Sequence, residues 1–111
     1  MILSKDLVAA TAEPLVLSIL SRNESYGYAL IKEVYALSGS KVQWTEGMLY
    51  PVLHRLEEQG FIKSVWKTSE TGRRRKYYKI EKKGRSSLNE RLHQWDLANK
   101  MILDGRALAH A

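Results

Sequence analysis

The chain has 111 residues, 44% hydrophobic and 27% charged, which suits one domain with a single modest core and excludes wholesale disorder. It has no cysteine, so disulfides, thiolate metal sites and cysteine nucleophiles are excluded together, and no apolar run approaches the ~18 residues that span a bilayer. Net charge is +6, yet ten bases between residues 63 and 85, less Glu70 and Glu81, leave +8 there, so one stretch holds more than the whole surplus. Such a patch is either a solvated basic surface or the footprint of a polyanion partner. The start "MILSKDLVAATAEP" meets Lys5, Asp6 and Glu13 too early for a signal peptide. With the missing cysteines, that makes a cytoplasmic location without membrane contact the expectation.

In chain order, a first helix is predicted from about Ser4 to Leu20, apolar at Leu7, Leu15, Ile19 and Leu20, with Pro14 kinking or splitting it. The polar break "SRNES" offers Ser25 as N-cap of a second helix. Leu30, Ile31, Val34 and Leu37 recur in it at helical spacing before Ser38-Gly39-Ser40 stops it. An extended "KVQW" leads to Thr45, the N-cap of a third helix that closes at Gly60. The period then changes. "FIKSVWKT" and "RRKYYKI" flank "SETG", a hairpin with Gly72 supplying the positive φ of its turn. From Lys82 a last helix carries Leu88, Leu92, Trp95, Asn99 and Ile102 at spacings of four, three, four and three, a seam of coiled-coil type. The expected fold is mainly α with a small β-hairpin (α+β). Residues 1–81 form a winged helix-turn-helix part, and residues 82–111 a C-terminal dimerisation helix and tail.

The third helix carries the chemistry. At about 100° per residue, Leu49, Val52, Leu53 and Leu56 share one face and point into the protein. Gly47, Tyr50, Pro51, His54 and Glu58 share the opposite one, with Arg55 at its edge. Two helix-weakening residues on that outer face make sense if it lies against something. A helix in a major groove presents its N-terminal residues to base edges, glycine allows close approach, and a proline ring suits a thymine methyl. Tyr50 reads a base or phosphate, or packs along the helix edge. The second helix would cross the phosphate backbone with Ser25 and Tyr26 at its start. Arg73, Arg74, Arg75 and Lys76, read with Gly72 as the tip of the hairpin, suit flanking phosphates or a narrow minor groove. Trp66 and Tyr78 are expected to pack within the wing. His54 is a groove contact rather than a metal ligand, since His93 and His110 lie elsewhere and no acidic cluster accompanies them.

"GMLYPVLHRLEEQGFI", then Trp66, then "GRRRKYYKIEKKG" resemble the signature of the PadR family of bacterial transcriptional regulators, over about residues 15 to 90. Met48 stands at the variable position of its Gly-x-Leu-Tyr-Pro motif, and Glu81 replaces the threonine or serine that commonly caps the last helix. The resemblance implies a winged helix-turn-helix homodimer on an inverted-repeat operator, usually a repressor released by a small molecule. The short chain is similar to the small branch that includes the lactococcal multidrug-resistance regulator, where a tryptophan on the last helix lines a hydrophobic pore between subunits; Trp95 matches it.

The expected partners are therefore double-stranded DNA, a second copy and a small aromatic effector, with no cofactor and no metal. The DNA-binding candidates are Ser25, Tyr26, Thr45, Gly47, Met48, Tyr50, Pro51, His54, Arg55, Arg73, Arg74, Arg75 and Lys76. The dimer seam is Leu88, Leu92, Trp95, Asn99 and Ile102. Trp95 either packs across that seam or, with Leu92, Ala98 and Asn99, holds a planar ligand. An enzyme is not expected: the chain lacks a nucleophile with a base, a metal cluster and a glycine-rich phosphate loop. The remaining alternative is a winged helix used for protein or RNA contacts without small-molecule sensing.

Overall fold

The first helix, α1, is less interrupted than its proline suggests. In the computed structural model, which describes residues 3–110, α1 runs Lys5–Arg22 without a break. Its N-cap Ser4 accepts the Leu7 N–H at 3.2 Å. The split expected at Pro14 does not occur. Proline leaves the Ala10 carbonyl without its helical donor, but Ala10 lies on the exposed side, where water can take that role. The buried stripe is Ala12, Val16, Leu17, Ile19 and Leu20; Leu7, expected to belong to it, is exposed.

A two-residue strand, β1 (Ser25–Tyr26), precedes α2 (Gly27–Leu37) and corrects the capping expectation. Ser25 pairs with Tyr78 in the sheet, and the N-cap position falls to Tyr26, whose side chain makes no capping hydrogen bond. Leu30, Ile31 and Val34 are buried as their spacing requires, whereas Leu37 is exposed. After the Ser38–Ser40 stop, Trp44 anchors the connection in the core at 4% exposure. The third helix, α3 (Glu46–Glu58), buries Leu49, Val52, Leu53 and Leu56, the four residues its periodicity nominates. Its end is a Schellman turn. Gly60 takes φ +77°, so that Phe61 N–H reaches the Leu56 carbonyl and Gly60 N–H the Glu57 carbonyl, each at 3.0 Å.

Strands β2 (Ile62–Thr68) and β3 (Arg74–Ile80) form the expected hairpin, with Gly72 at φ +83° in its turn. The sheet is antiparallel in the order β1-β3-β2, so the hairpin gains a third strand from the segment before α2. Residues alternate across it. Ile62, Tyr78 and Ile80 turn one face onto the core, joining Leu17, Leu20, Leu30, Leu49, Leu53 and Leu56. The fold is thus α+β, with four helices and a three-stranded sheet among the described residues.

The last helix, α4 (Lys82–Ala109), buries only Gly84 and Leu88. Gly84 is where α4 docks: a Cβ built there would lie 2.1 Å from the Phe61 carbonyl oxygen and 2.9 Å from Ile80 Cγ1. Backbone cannot retreat as a side-chain tip can. Gly84→Ala is expected to lower stability by about 1–3 kcal/mol through this overpacking. Gly105→Ala, at a position with nothing within 4 Å, is expected to raise it by up to about 1 kcal/mol through helix propensity. Thermal unfolding of the two variants checks the contrast; equal behaviour would contradict the docking geometry.

Candidate nucleic-acid interface

Burying one side of α3 fixes what the other side offers. Gly47, Tyr50, Pro51, His54 and Glu58 are all exposed on it. Thr45 caps the helix, its hydroxyl accepting Met48 N–H at 3.2 Å, so its oxygen is partly committed to the fold. Among the described residues nothing calls for glycine at 47: a Cβ there would meet only Thr45 Oγ1, at 4.0 Å. The same glycine stands four residues before Pro51, whose ring crowds the carbonyl at that distance. Met48, expected among the DNA-binding residues, is half-buried and packs against the core. His54 lies 3.7 Å from Glu58 with both side chains well exposed, a pairing of little energetic weight.

Tyr50 joins α3 to the start of α2. A Cβ placed on Gly27 would fall 2.7 Å from the Tyr50 hydroxyl oxygen, so the ring lies where residue 27 has no side chain. Both readings of Tyr50 therefore have a physical basis: its tip packs on α2, yet 44% of the residue stays exposed. Burial pushes the neighbouring Tyr78 phenol above its usual range, with Tyr50 and Glu57 adding to the effect.

The wing is built from stacked cations. Arg73 sits beside Gly72 at the turn, its carbonyl accepting Ser69 N–H at 2.8 Å, whereas Arg74, Arg75 and Lys76 belong to β3 rather than to the tip. The Arg74 guanidinium lies 5.3 Å from the Trp66 ring centre, Arg75 4.4 Å from Tyr26, and Lys76 Nζ 5.6 Å from Tyr78. Trp66 carries Arg74 over its ring within the wing yet is 57% exposed, on the sheet face that carries Tyr78 and Ile80 further along. Lys67 is salt-bridged to Glu24 and lies over the Tyr77 ring, and Tyr77 meets Tyr26 edge-on at 5.3 Å. Those contacts tie the wing to the start of α2. Tyr26, Gly27, Tyr28, Glu46, Tyr50, Trp66 and Arg73–Lys76 together line one open cleft of about 410 Å³. The uncapped first turn of α2 is part of its wall.

Two groups of expected residues fare differently. Arg55 does not stand free: its Nε donates to Glu13 Oε2 of α1 at 3.2 Å. On α4, Leu88 is 6% exposed within the chain's own core and so is not a seam residue. Leu92, Asn99 and Ile102 are exposed and Trp95 is half-buried. Trp95 and Ala98 line a groove of about 590 Å³ between α1 and α4, with Ala10, Pro14, Ser87, Glu90, Arg91 and Gln94; Leu92 and Asn99 do not line it. Leu97 and Met101 are also exposed, on the side of α4 opposite the expected seam. Among the described residues no group of three His, Asp or Glu side chains could hold a metal ion, and no helix is long and apolar enough to cross a membrane.

Residues 16–90 match the family model described as the transcriptional regulator PadR-like family. Rv3488, a transcriptional regulator of Mycobacterium tuberculosis, is 33% identical over 85 residues, 77% of this chain and 76% of that protein. A solved transcriptional regulator from Clostridium thermocellum superposes with a TM-score of 0.82 at 31% identity, covering 90% of this chain and 97% of that one. A PadR-like regulator from Bacillus cereus gives 0.79 at 30% identity, over 90% and 95% of the two chains.

The open space at Gly47 has a consequence for the free protein. Gly47→Ala is expected to stabilise it by up to about 1 kcal/mol, while Thr45→Ala costs about 1 kcal/mol by removing the cap. Chemical denaturation measures both. A destabilised Gly47→Ala would mean that the glycine is an internal requirement after all.

Proposed function

The chain belongs to the PadR-like family of transcriptional regulators, not of enzymes, and on that premise we propose that it binds an inverted-repeat operator in duplex DNA as a homodimer. One observation carries the reading: the first turns of α2 and α3 and the arginines of the wing converge on a single open cleft. In this reading Gly47, Tyr50, Pro51 and His54 face base edges, with Thr45 and Met48 at the start of the helix. Ser25, Tyr26 and the α2 amides meet one strand of phosphates, and Arg73, Arg74, Arg75 and Lys76 the flanking backbone or minor groove. Trp66 joins them on grounds of exposure.

Pairing through α4 is supported by what the helix leaves uncovered. Leu92, Leu97, Met101, Ile102, Leu103 and Leu108 are exposed on a 28-residue helix that buries two residues. A second copy laid along α4, with Trp95 and Asn99 in the contact, would cover much of that apolar surface. The reading helices of such a dimer enter major grooves one turn apart, ~34–36 Å. The chain then acts as a repressor, released when a planar aromatic or drug-like molecule beside Trp95 favours one subunit spacing over another.

Selection of duplexes from a random pool, followed by anisotropy titration over a range of salt, tests the DNA reading. Each wing arginine changed to alanine, at 73 or 74, is expected to lower the slope of log affinity against log salt by about 0.9. Gly47→Ala is expected to weaken binding to the selected duplex while leaving its salt slope unchanged. A duplex RNA that competes as well as DNA would overturn the assignment, because the deep narrow major groove of RNA excludes a helix. The effector reading has its own check: Trp95→Ala should lose affinity for planar aromatic dyes, and unchanged dye binding would remove it.

A further inference from the structure

Glu13 lies midway along α1, outside both the DNA-facing cleft and the expected seam. Its two carboxylate oxygens hold two different helices. Oε2 accepts Arg55 Nε of α3 at 3.2 Å, and Oε1 accepts Arg91 Nη1 of α4 at 2.7 Å. Arg91 is itself fixed, its Nε donating to Ser87 Oγ at 3.0 Å and its guanidinium lying 5.6 Å from the Phe61 ring centre. The Glu13 and Arg91 side chains are 20% and 25% exposed, so this pair is sheltered from solvent. Arg55 enters at the last turn of α3, away from the N-terminal turns that carry Gly47, Tyr50 and Pro51.

We propose that Glu13 is a positioning residue for DNA binding: one carboxylate clamps Arg55 of the reading helix to Arg91 of the C-terminal helix. Arg55 then acts as a strut that sets the attitude of α3, not as a phosphate contact. The inference rests on the DNA reading of α3 and adds to it a reason why the reading helix and the pairing helix keep one mutual angle. Core packing alone holds α3 by one face and leaves roll about that face to be limited by its edges. Gly27 and Tyr50 limit it toward α2, and the clamp limits it toward α1 and α4. Arg91 also lines the groove beside Trp95, so the clamp begins at the wall of the candidate effector site.

The strut and the phosphate contact give opposite signatures with a duplex selected by the unaltered chain. For the strut, Glu13→Gln and Arg55→Ala each lower the preference for the selected over a scrambled duplex about fivefold, and the double variant loses no more than either one. The salt slope keeps its original value. For a phosphate contact, Arg55→Ala lowers the slope by about 0.9 and Glu13→Gln tightens binding by freeing the arginine; either result overturns the proposal. It is also overturned if both variants melt earlier yet keep the full sequence preference, which is a purely structural role. An unaltered chain that enriches no duplex removes the operator reading itself, a failure visible before any variant is made.

Discussion

One face of α3 is committed to the core, and the rest of the molecule is arranged around that commitment. Leu49, Val52, Leu53 and Leu56 leave the helix no freedom to turn its other side inward. Burial of four aliphatic side chains, at about 1.5–3 kcal/mol each, far exceeds the cost of about 1 kcal/mol for a glycine or about 3 kcal/mol for an interior proline on the outer side. The helix can therefore carry Gly47 and Pro51 where neither helps it fold. Thr45 and the Schellman turn at Gly60 hold its two ends, so the outer face is presented at a fixed place beside the wing.

Much of this was legible because it is local. The period of α3, its threonine cap, the hairpin turn at Gly72 and the start of α4 at Lys82 depend on residues within a few positions of one another. What was not legible depends on contacts distant in sequence. Ser25 reads as a helix cap until Tyr78, more than fifty residues on, claims its backbone for the sheet. Arg55 reads as a free cation until the fold brings Glu13 to it. Leu88 fits a heptad seam by spacing alone, and only the docking of α4 at Gly84 reveals that the first two turns belong to the chain's own core. The exposure of Trp66 is hidden for a related reason: alternation gives its sheet face, but not how far along that face the core extends.

The same docking divides α4 into two physical regimes. Up to Leu88 it is part of the body, held by the Phe61 backbone; beyond it, apolar side chains on opposite sides of the helix remain exposed. A strict seam would need only one stripe. Two stripes suit a helix covered from more than one direction, as when a partner brings both its first and its last helix to the contact. The groove beside Trp95 then lies at the border between what one chain buries and what pairing would enclose.

The distribution of charge makes the final distinction. Among the described residues Arg22, Arg55, Lys63, Lys67, Arg91 and Lys100 each have a carboxylate within 4.0 Å. Arg73, Arg74, Arg75 and Lys76 have none, as do Lys5, Lys32, Lys41, Lys79, Lys82, Lys83, Arg85 and Arg106, but only in the wing do four such cations stand side by side in sequence. The two β3 arginines and Lys76 are held by aromatic faces instead. The difference matters because a salt bridge occupies the in-plane donors of a guanidinium, while stacking engages only its flat face. Arg74 and Arg75 thus lie over aromatic rings without spending their donors on a carboxylate, which limits the side-chain freedom lost when an anion arrives. A merely solubilising patch has no need of such support. Cations positioned by rings, rather than neutralised by acids, are what a surface made for phosphates requires.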